Sequence, residues 1–316
     1  MKIPTLLVYV WIGLAVSIPS FSRAGNDCEL KLEVDTAEWR GGTRGGYGVF
    51  EPGEYPQTVR FKVRLVAGAP CPFFVTFGSA IQGNSQRRAA RGSDGLDYQV
   101  YASLSQRMVL KELPGAHANE VLRDAFGPGE SVKELSYVIV VPPQQIKPSG
   151  RYTDVLRITV YQGTLDNYVQ KDSKTVTFSV LVDEVAEMSI TTAGSPFDPG
   201  AKSHAVDFGP LAKGKAKGFD VRVRSNVGYH VTLESENGGV MKNIDPQFKN
   251  TIPYLLQVGG KTVTLSSGRQ TPISRYNRLT GPNGDRHEVQ ITVGDINNAT
   301  AGTYRDHILV TVISDN

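Results

Sequence analysis

Beyond its first twenty residues this 316-residue chain has no long apolar run, which leaves no later stretch able to cross a bilayer as a helix. Strong charge of either sign is missing as well. The formal balance is +3 with histidine neutral, which gives no electrostatic case for nucleic acid or an anionic membrane. Cysteine is scarce. The only two, Cys28 and Cys71, stand too far apart for a redox or zinc motif of the Cys-x-x-Cys kind. Catalytic signatures are absent: there is no Gly-x-Ser-x-Gly elbow, His-Glu-x-x-His helix or P-loop. The five histidines, His117, His204, His230, His287 and His307, are scattered. The chain is therefore expected to be no enzyme and to need no metal or cofactor.

What is present begins with an export signal. Lys2 supplies positive charge, residues 6–18 are almost wholly apolar, and Ser22-Arg23-Ala24 sets small residues three and one before a cut after Ala24. Residues 1–24 read as a signal peptide. Without them the formal charge falls from +3 to +1, because Lys2 and Arg23 are the only charged residues removed. In an oxidising compartment an even cysteine count favours a disulfide between Cys28 and Cys71. Closing that loop of about 44 residues would stabilise the fold by roughly 3–4 kcal/mol.

Periodicity points to β-structure nearly throughout. Thr58-Val59-Arg60-Phe61-Lys62-Val63-Arg64-Leu65 alternates apolar with basic residues, as do stretches within 174–180, 219–223 and 289–293. Turn pairs such as Pro52-Gly53, Asp94-Gly95, Asn237-Gly238 and Asn283-Gly284 separate them. One helix of about two turns is expected over residues 118–126. Many short strands with regular turns read as sandwiches.

The chain also repeats itself. Ser149-Gly150-Arg151-Tyr152-Thr153-Asp154-Val155-Leu156-Arg157-Ile158-Thr159-Val160 aligns without gaps on Ala301-Gly302-Thr303-Tyr304-Arg305-Asp306-His307-Ile308-Leu309-Val310-Thr311-Val312, sharing the glycine, tyrosine, aspartate, threonine and last valine. Tyr47-Gly48 echoes Phe208-Gly209, Phe61 to Arg64 echoes Phe219 to Arg222, and Phe73 to Phe77 echoes Tyr229 to Leu233, in the same order. Two domains of one fold are expected, at 25–185 and 186–316. In the first, the Gly-x-Tyr-x-Asp strand is followed by another, residues 175–182, with Val176, Phe178, Val180 and Val182 on one face. In the second half no residues follow for such a strand, and only Gly25, Asn26 and Asp27 precede Cys28.

The Gly-x-Tyr-x-Asp strand, the aromatic-Gly pair and the mid-domain Tyr98 and Tyr254 resemble the spore coat protein U domain, a family that includes subunits of archaic chaperone–usher pili. The resemblance implies two tandem immunoglobulin-like β-sandwich domains, the C-terminal one lacking its last strand. It further implies donor-strand complementation, in which a periplasmic pilus chaperone and then an adjacent pilus subunit fill the gap, with an outer-membrane usher exporting the assembly. An acceptor without a donor segment sits at a fibre's tip, so a pilus tip adhesin binding a host or abiotic surface is expected. A spore or cell-coat structural protein of the same family is the alternative. Ile308, Val310 and Val312, with Met188 and Ile190 on the opposite edge strand, are expected to line the groove. The loops near 67–72, 102–130 and 162–173 are placed at the far end of the first domain, offering Leu113, Pro114, Phe126, Leu165, Tyr168 and Val169 as exposed apolar contacts. Arg87-Arg88-Ala89-Ala90-Arg91 is read as a solubilising loop, Asp285-Arg286-His287-Glu288 as a solvated turn, and residues 41–46 as a bulged crossing between strands.

Overall fold

The computed structural model describes residues 27–79 and 86–315; the expected signal peptide lies outside them. Every regular element described is a strand. The first half holds β1 (Cys28–Glu33), β2 (Ala37–Trp39), β3 (Gln57–Gly68), β4 (Pro72–Ser79), β5 (Arg87–Arg91), β6 (Asp94–Tyr101), β7 (Leu122–Ala125), β8 (Val132–Val140), β9 (Gly150–Thr164) and β10 (Asn167–Val182). The second holds β11 (Ala186–Thr192), β12 (Ala216–Ser225), β13 (Gly228–Ser235), β14 (Val240–Asn243), β15 (Thr251–Val258), β16 (Lys261–Val263), β17 (Thr271–Tyr276), β18 (Asp285–Val293), β19 (Tyr304–Arg305) and β20 (Ile308–Asp315). The fold is all-β. Two apolar cores form, one from residues between Cys28 and Val185 and one from residues between Phe208 and Val310, and they share no member.

Alternation sets the faces. In β3, Phe61 and Val63 enter the first core while Arg60 and Lys62 face solvent. β4 is buried along nearly its whole length: Phe73, Val75 and Phe77 join the core, and Phe74 on the other face is covered with Val121 and Tyr161. The strands of the first half run β1-β3-β8-β6-β5-β9-β10-β2 in one curled sheet, with β4 and β7 attached beside β9. In the second half one sheet runs β11-β12-β18-β15-β14-β19, with β16 beside β15, and the other runs β17-β13-β20.

The sequence repeat is a repeat of strand register. Leu32↔Val63 in β1 and β3 matches Ile190↔Val221 in β11 and β12, and Val75↔Val160 in β4 and β9 matches Val231↔Val312 in β13 and β20. The shared residues have matching partners. Tyr152 OH donates to Pro148 O and Tyr304 OH to Thr300 O, each at 3.0 Å and each four residues upstream, in the manner of a tyrosine corner. Asp154 accepts from Tyr98 OH at 2.7 Å, and Asp306 from Tyr254 OH at 2.6 Å. Both glycines sit at positive φ, 129° and 152°, where an L side chain is strained.

Three stretches differ from expectation. Residues 118–126 form no helix: nine residues are too few to hold one alone, and β4 offers an edge on which β7 pairs, Val75↔Leu122 to Pro72↔Ala125. Residues 87–91 are not a loop but β5, paired with β6. Residues 285–288 are not a turn but the start of β18; the turn ends at Gly284, and His287 continues the inward alternation of Val289, Ile291 and Val293.

Candidate functional site: the free edge of β20

The two halves differ in how the Gly-x-Tyr-x-Asp strand is covered. In the first half β10 lies antiparallel to β9 from Asn167↔Thr164 to Val182↔Gly150. Its other edge pairs in parallel with β2, Phe178↔Ala37 to Val180↔Trp39. Beyond that, Tyr47 N–H donates to Leu181 O at 2.7 Å and Asp183 N–H to Tyr47 O at 3.1 Å. Val176, Phe178, Val180 and Val182 are all buried in the first core, and the Phe178 ring lies 4.3 Å from that of Tyr98. Over residues 178–183, the part that carries most of its buried side chains, both edges of β10 are therefore bonded, and its apolar face is sealed.

In the second half β20 pairs with β13 alone among the described residues. Among the described residues, alternate main-chain groups on its other side bond to no strand, the condition that invites strand addition. β11 runs beside it without a ladder. The opposite edge of β11 is occupied by β12, and Ile190 N–H donates to Ala201 O at 2.7 Å.

Burial follows this difference. Leu156, Ile158 and Val160 are fully buried, whereas their counterparts Ile308 and Val312 are half-buried and Val310 is nearly covered. Leu30 and Leu32 are buried, but Met188 and Ile190, at the same register positions, are half-buried. The five expected groove residues thus converge beside one core, on two edge strands of opposite sheets. Sequence reasoning missed Tyr254 and Tyr304 at this edge, although the repeat pairs them with Tyr98 and Tyr152. Asp306 is held as a fixed acceptor there: besides Tyr254 it takes Ser235 Oγ at 2.6 Å, Asn237 N–H at 3.0 Å and His307 N–H at 2.9 Å. Burial, and then the bond to Asp306, pushes the Tyr254 phenol well above its ordinary value, so it remains a donor.

The halves meet through Asn226, a buried side chain. Its amide donates to Asp183 O at 2.8 Å and Lys147 O at 3.1 Å, and its carbonyl accepts from Val185 N–H at 2.8 Å. Arg224 stacks over Phe50 and Phe197 beside it. Residues 183–185 are pinned by these bonds.

At the opposite end of the first half, register gathers Cys28, Gly68, Pro72, Ala125 and residues 162–168. Cys28 and Cys71 are bonded there, their Cα atoms 6.3 Å apart. Tyr168 and Val169 are 43% and 57% exposed, and Val66 and Val132 add exposed apolar surface that the sequence reading did not include. Tyr168 also packs edge-on against Phe74 and Tyr161. Phe126 corrects the expectation: it is buried 5.2 Å from Phe73 and belongs to the core, because its N–H is fixed to Cys71 O. Leu113 and Leu165 are half-buried against the Phe74–Tyr161 pair, and only Pro114 of that loop's named residues is exposed. The connection after β6 does not lie wholly at this end. Arg107 ion-pairs with Glu54 near the start of β3, at the end facing the second half.

Arg87 is the deepest cation. Its guanidinium donates to Phe77 O, Leu110 O and Gln99 Oε1 at 2.6–2.9 Å, and burial pulls its pKa down. It ties β5 to neighbouring segments and offers no surface charge. His287, also buried, lies 3.4 Å from Tyr229 OH, which donates to Asp285 at 2.9 Å.

No protein-family model matches the chain, and none of the curated proteins matches it. Among solved structures it is similar to a chain of the chaperone–tip adhesion subunit pre-assembly complex of the archaic chaperone–usher Csu pili of Acinetobacter baumannii. That match has 12% identity over 89% of this chain and 99% of that one, with a TM-score of 0.45. It is also similar to a tip adhesin from Pseudomonas aeruginosa, with 9% identity, 92% and 96% coverage and a TM-score of 0.42. A third is the adhesive subunit of the CFA/I fimbria of enterotoxigenic Escherichia coli, with 16% identity, 77% and 82% coverage and a TM-score of 0.34.

Proposed function

We propose that the protein is a non-enzymatic tip adhesin of a chaperone–usher pilus, built from an adhesive domain at residues 25–185 and a strand-accepting domain at 186–316. The observation that carries this is the contrast between β10, bonded on both edges over a sealed core, and β20, with one free edge beside half-buried Ile308, Val312, Met188 and Ile190. A free edge beside an apolar core favours strand addition, where main-chain bonds give affinity and alternate side chains give selectivity. A periplasmic chaperone and then an adjacent subunit would supply that strand, and an usher would pass the assembly to the cell surface. The resemblance to the spore coat protein U domain belongs to the same reading. The self-contained first domain is then free to meet a host or abiotic surface through Tyr168, Val169, Val66 and Val132, which lie at the end turned away from residues 183–185. Removing the gene from the producing cell tests the role. Filaments that persist without surface attachment support it, and a defective coat with attachment unchanged overturns it.

A further inference from the structure

The first half states, in its own residues, what the second half accepts. An offset of 152 carries β9 onto β19 and β20, and the neighbouring ladders agree: Phe77↔Ile158 becomes Leu233↔Val310. Along β9 the buried residues of β10 stand opposite defined positions. Val176 faces Leu156, Phe178 faces Asp154, Val180 faces Tyr152 and Val182 faces Gly150. Farther along, Lys174 and Asp172, opposite Ile158 and Val160, are polar and not buried. There the core is closed by β1 instead, with Leu30 and Leu32 buried and Leu32 N–H donating to Asp172 at 2.9 Å.

β11 is the counterpart of β1, so Met188 and Ile190 supply, while half-buried, part of the cover for Val310 and Val312 that Leu30 and Leu32 give Ile158 and Val160. The positions without a counterpart of β10 lie earlier, opposite Ile308, Asp306, Tyr304 and Gly302. Two tyrosine rings and one main-chain segment mark them. Tyr98 is buried under Phe178, whereas Tyr254 is half-buried and stacks on no ring among the described residues. Tyr152 is fully buried and Tyr304 half-buried. Tyr47 clamps the end of β10 with its main chain, whereas the main chain of Phe208 belongs to no ladder.

We propose that the second domain selects an extended segment of another chain with the chemistry Val-x-Phe-x-Val-x-Val, seated opposite Ile308 to Gly302 with its aromatic side chain on Tyr254. This rests on the acceptor reading above and makes it specific. The aromatic position, and not Val310 or Val312, sets the register. Alternate side chains in defined pockets are what distinguish one added strand from another. Tyr254, fixed through Asp306, is the pocket that reads the ring.

The test uses this chain's own sequence as probe. A labelled peptide of residues 174–183 is titrated onto the mature protein and followed by fluorescence anisotropy. It is expected to bind, and replacing its phenylalanine with alanine is expected to weaken binding by roughly ten- to a hundredfold, the range for losing one buried aromatic side chain. Moving the phenylalanine two places along the peptide has the same effect. Tyr254→Leu in the protein removes up to about tenfold of the preference for phenylalanine over leucine, the size of one aromatic pair. If peptides bind equally wherever the ring is placed, the register is wrong and the acceptor reading survives. If no alternating apolar peptide binds at all, both fail.

Discussion

Phe178→Ala, in the strand that completes the first domain from within, puts a number on self-completion. The side chain is fully buried, stacked on Tyr98, and set between β9 and β2. Truncating a buried phenylalanine costs about 3–5 kcal/mol in lost transfer energy and residual cavity. Single domains are stable by about 5–15 kcal/mol, so the loss is a large share without being certain unfolding. For a domain of this size each kcal/mol moves the midpoint by about 2–4 °C, so a fall of roughly 6–20 °C is expected. Calorimetry of residues 25–185 under oxidising conditions measures it. Thr177→Ala is the control, since Thr177 lies on the same strand and faces solvent, and it should shift the midpoint by no more than about 2 °C, the effect of an exposed substitution of about 0.5 kcal/mol. Equal small shifts for the two variants would refute the claim that β10 is the structural plug of this domain.

Two further outcomes follow. Non-reducing peptide mapping should recover a single bridge between Cys28 and Cys71, and Cys71→Ser with Cys28→Ser should destabilise the first domain by roughly 3–4 kcal/mol while leaving the second unchanged. His287 is kept neutral by burial, with Asp285 opposing weakly, so its folded pKa lies below 6.5. The unfolded chain then binds the extra proton first. Stability of the second domain should be full above about pH 6.5 and fall as pH drops through that value, by at most about 1.4 kcal/mol per pH unit. Urea midpoints of residues 186–316 completed by a fused donor strand, taken at pH 7.5 and 5.5, should show this fall, and His287→Gln should remove that slope.

Much of this was legible because one buried face imposes a period of two, and because the repeat fixes register as well as kinship. Phe61, Val63 and the four inward residues of β10 could be read directly from alternation. The same rule, extended two residues upstream of Val289, finds His287; a charged-looking run after Asn283-Gly284 concealed it. Arg87 was not legible, because its partners are main-chain carbonyls of Phe77 and Leu110 that only the folded chain brings together. Phe126 looked like a loop residue for a similar reason: the contact with Phe73 that buries it depends on β7 pairing with β4. Leu113 and Leu165 cover a small second cluster on the outer face of β4 and β9, which alternation alone assigns to solvent. At the free edge of β20 the sequence identifies the strands, whereas the burial contrast between Tyr98 and Tyr254 exists only in the fold.

On the proposed reading, the second domain needs from outside what β10 provides to the first. By the sequence offset of 152 Asn316 corresponds to Thr164, so residues 165–183 can be appended directly after Asn316 to test a β9–β10-like hairpin on β20. Thermal unfolding of residues 186–316 with and without this segment measures the claim. The bare fragment should aggregate or melt without cooperativity, and the extended one should be monomeric with a sharp, much higher transition that is lost when the phenylalanine of the appended strand becomes aspartate. A bare fragment that is already monomeric and cooperatively folded, with a midpoint the added strand does not move, would contradict it.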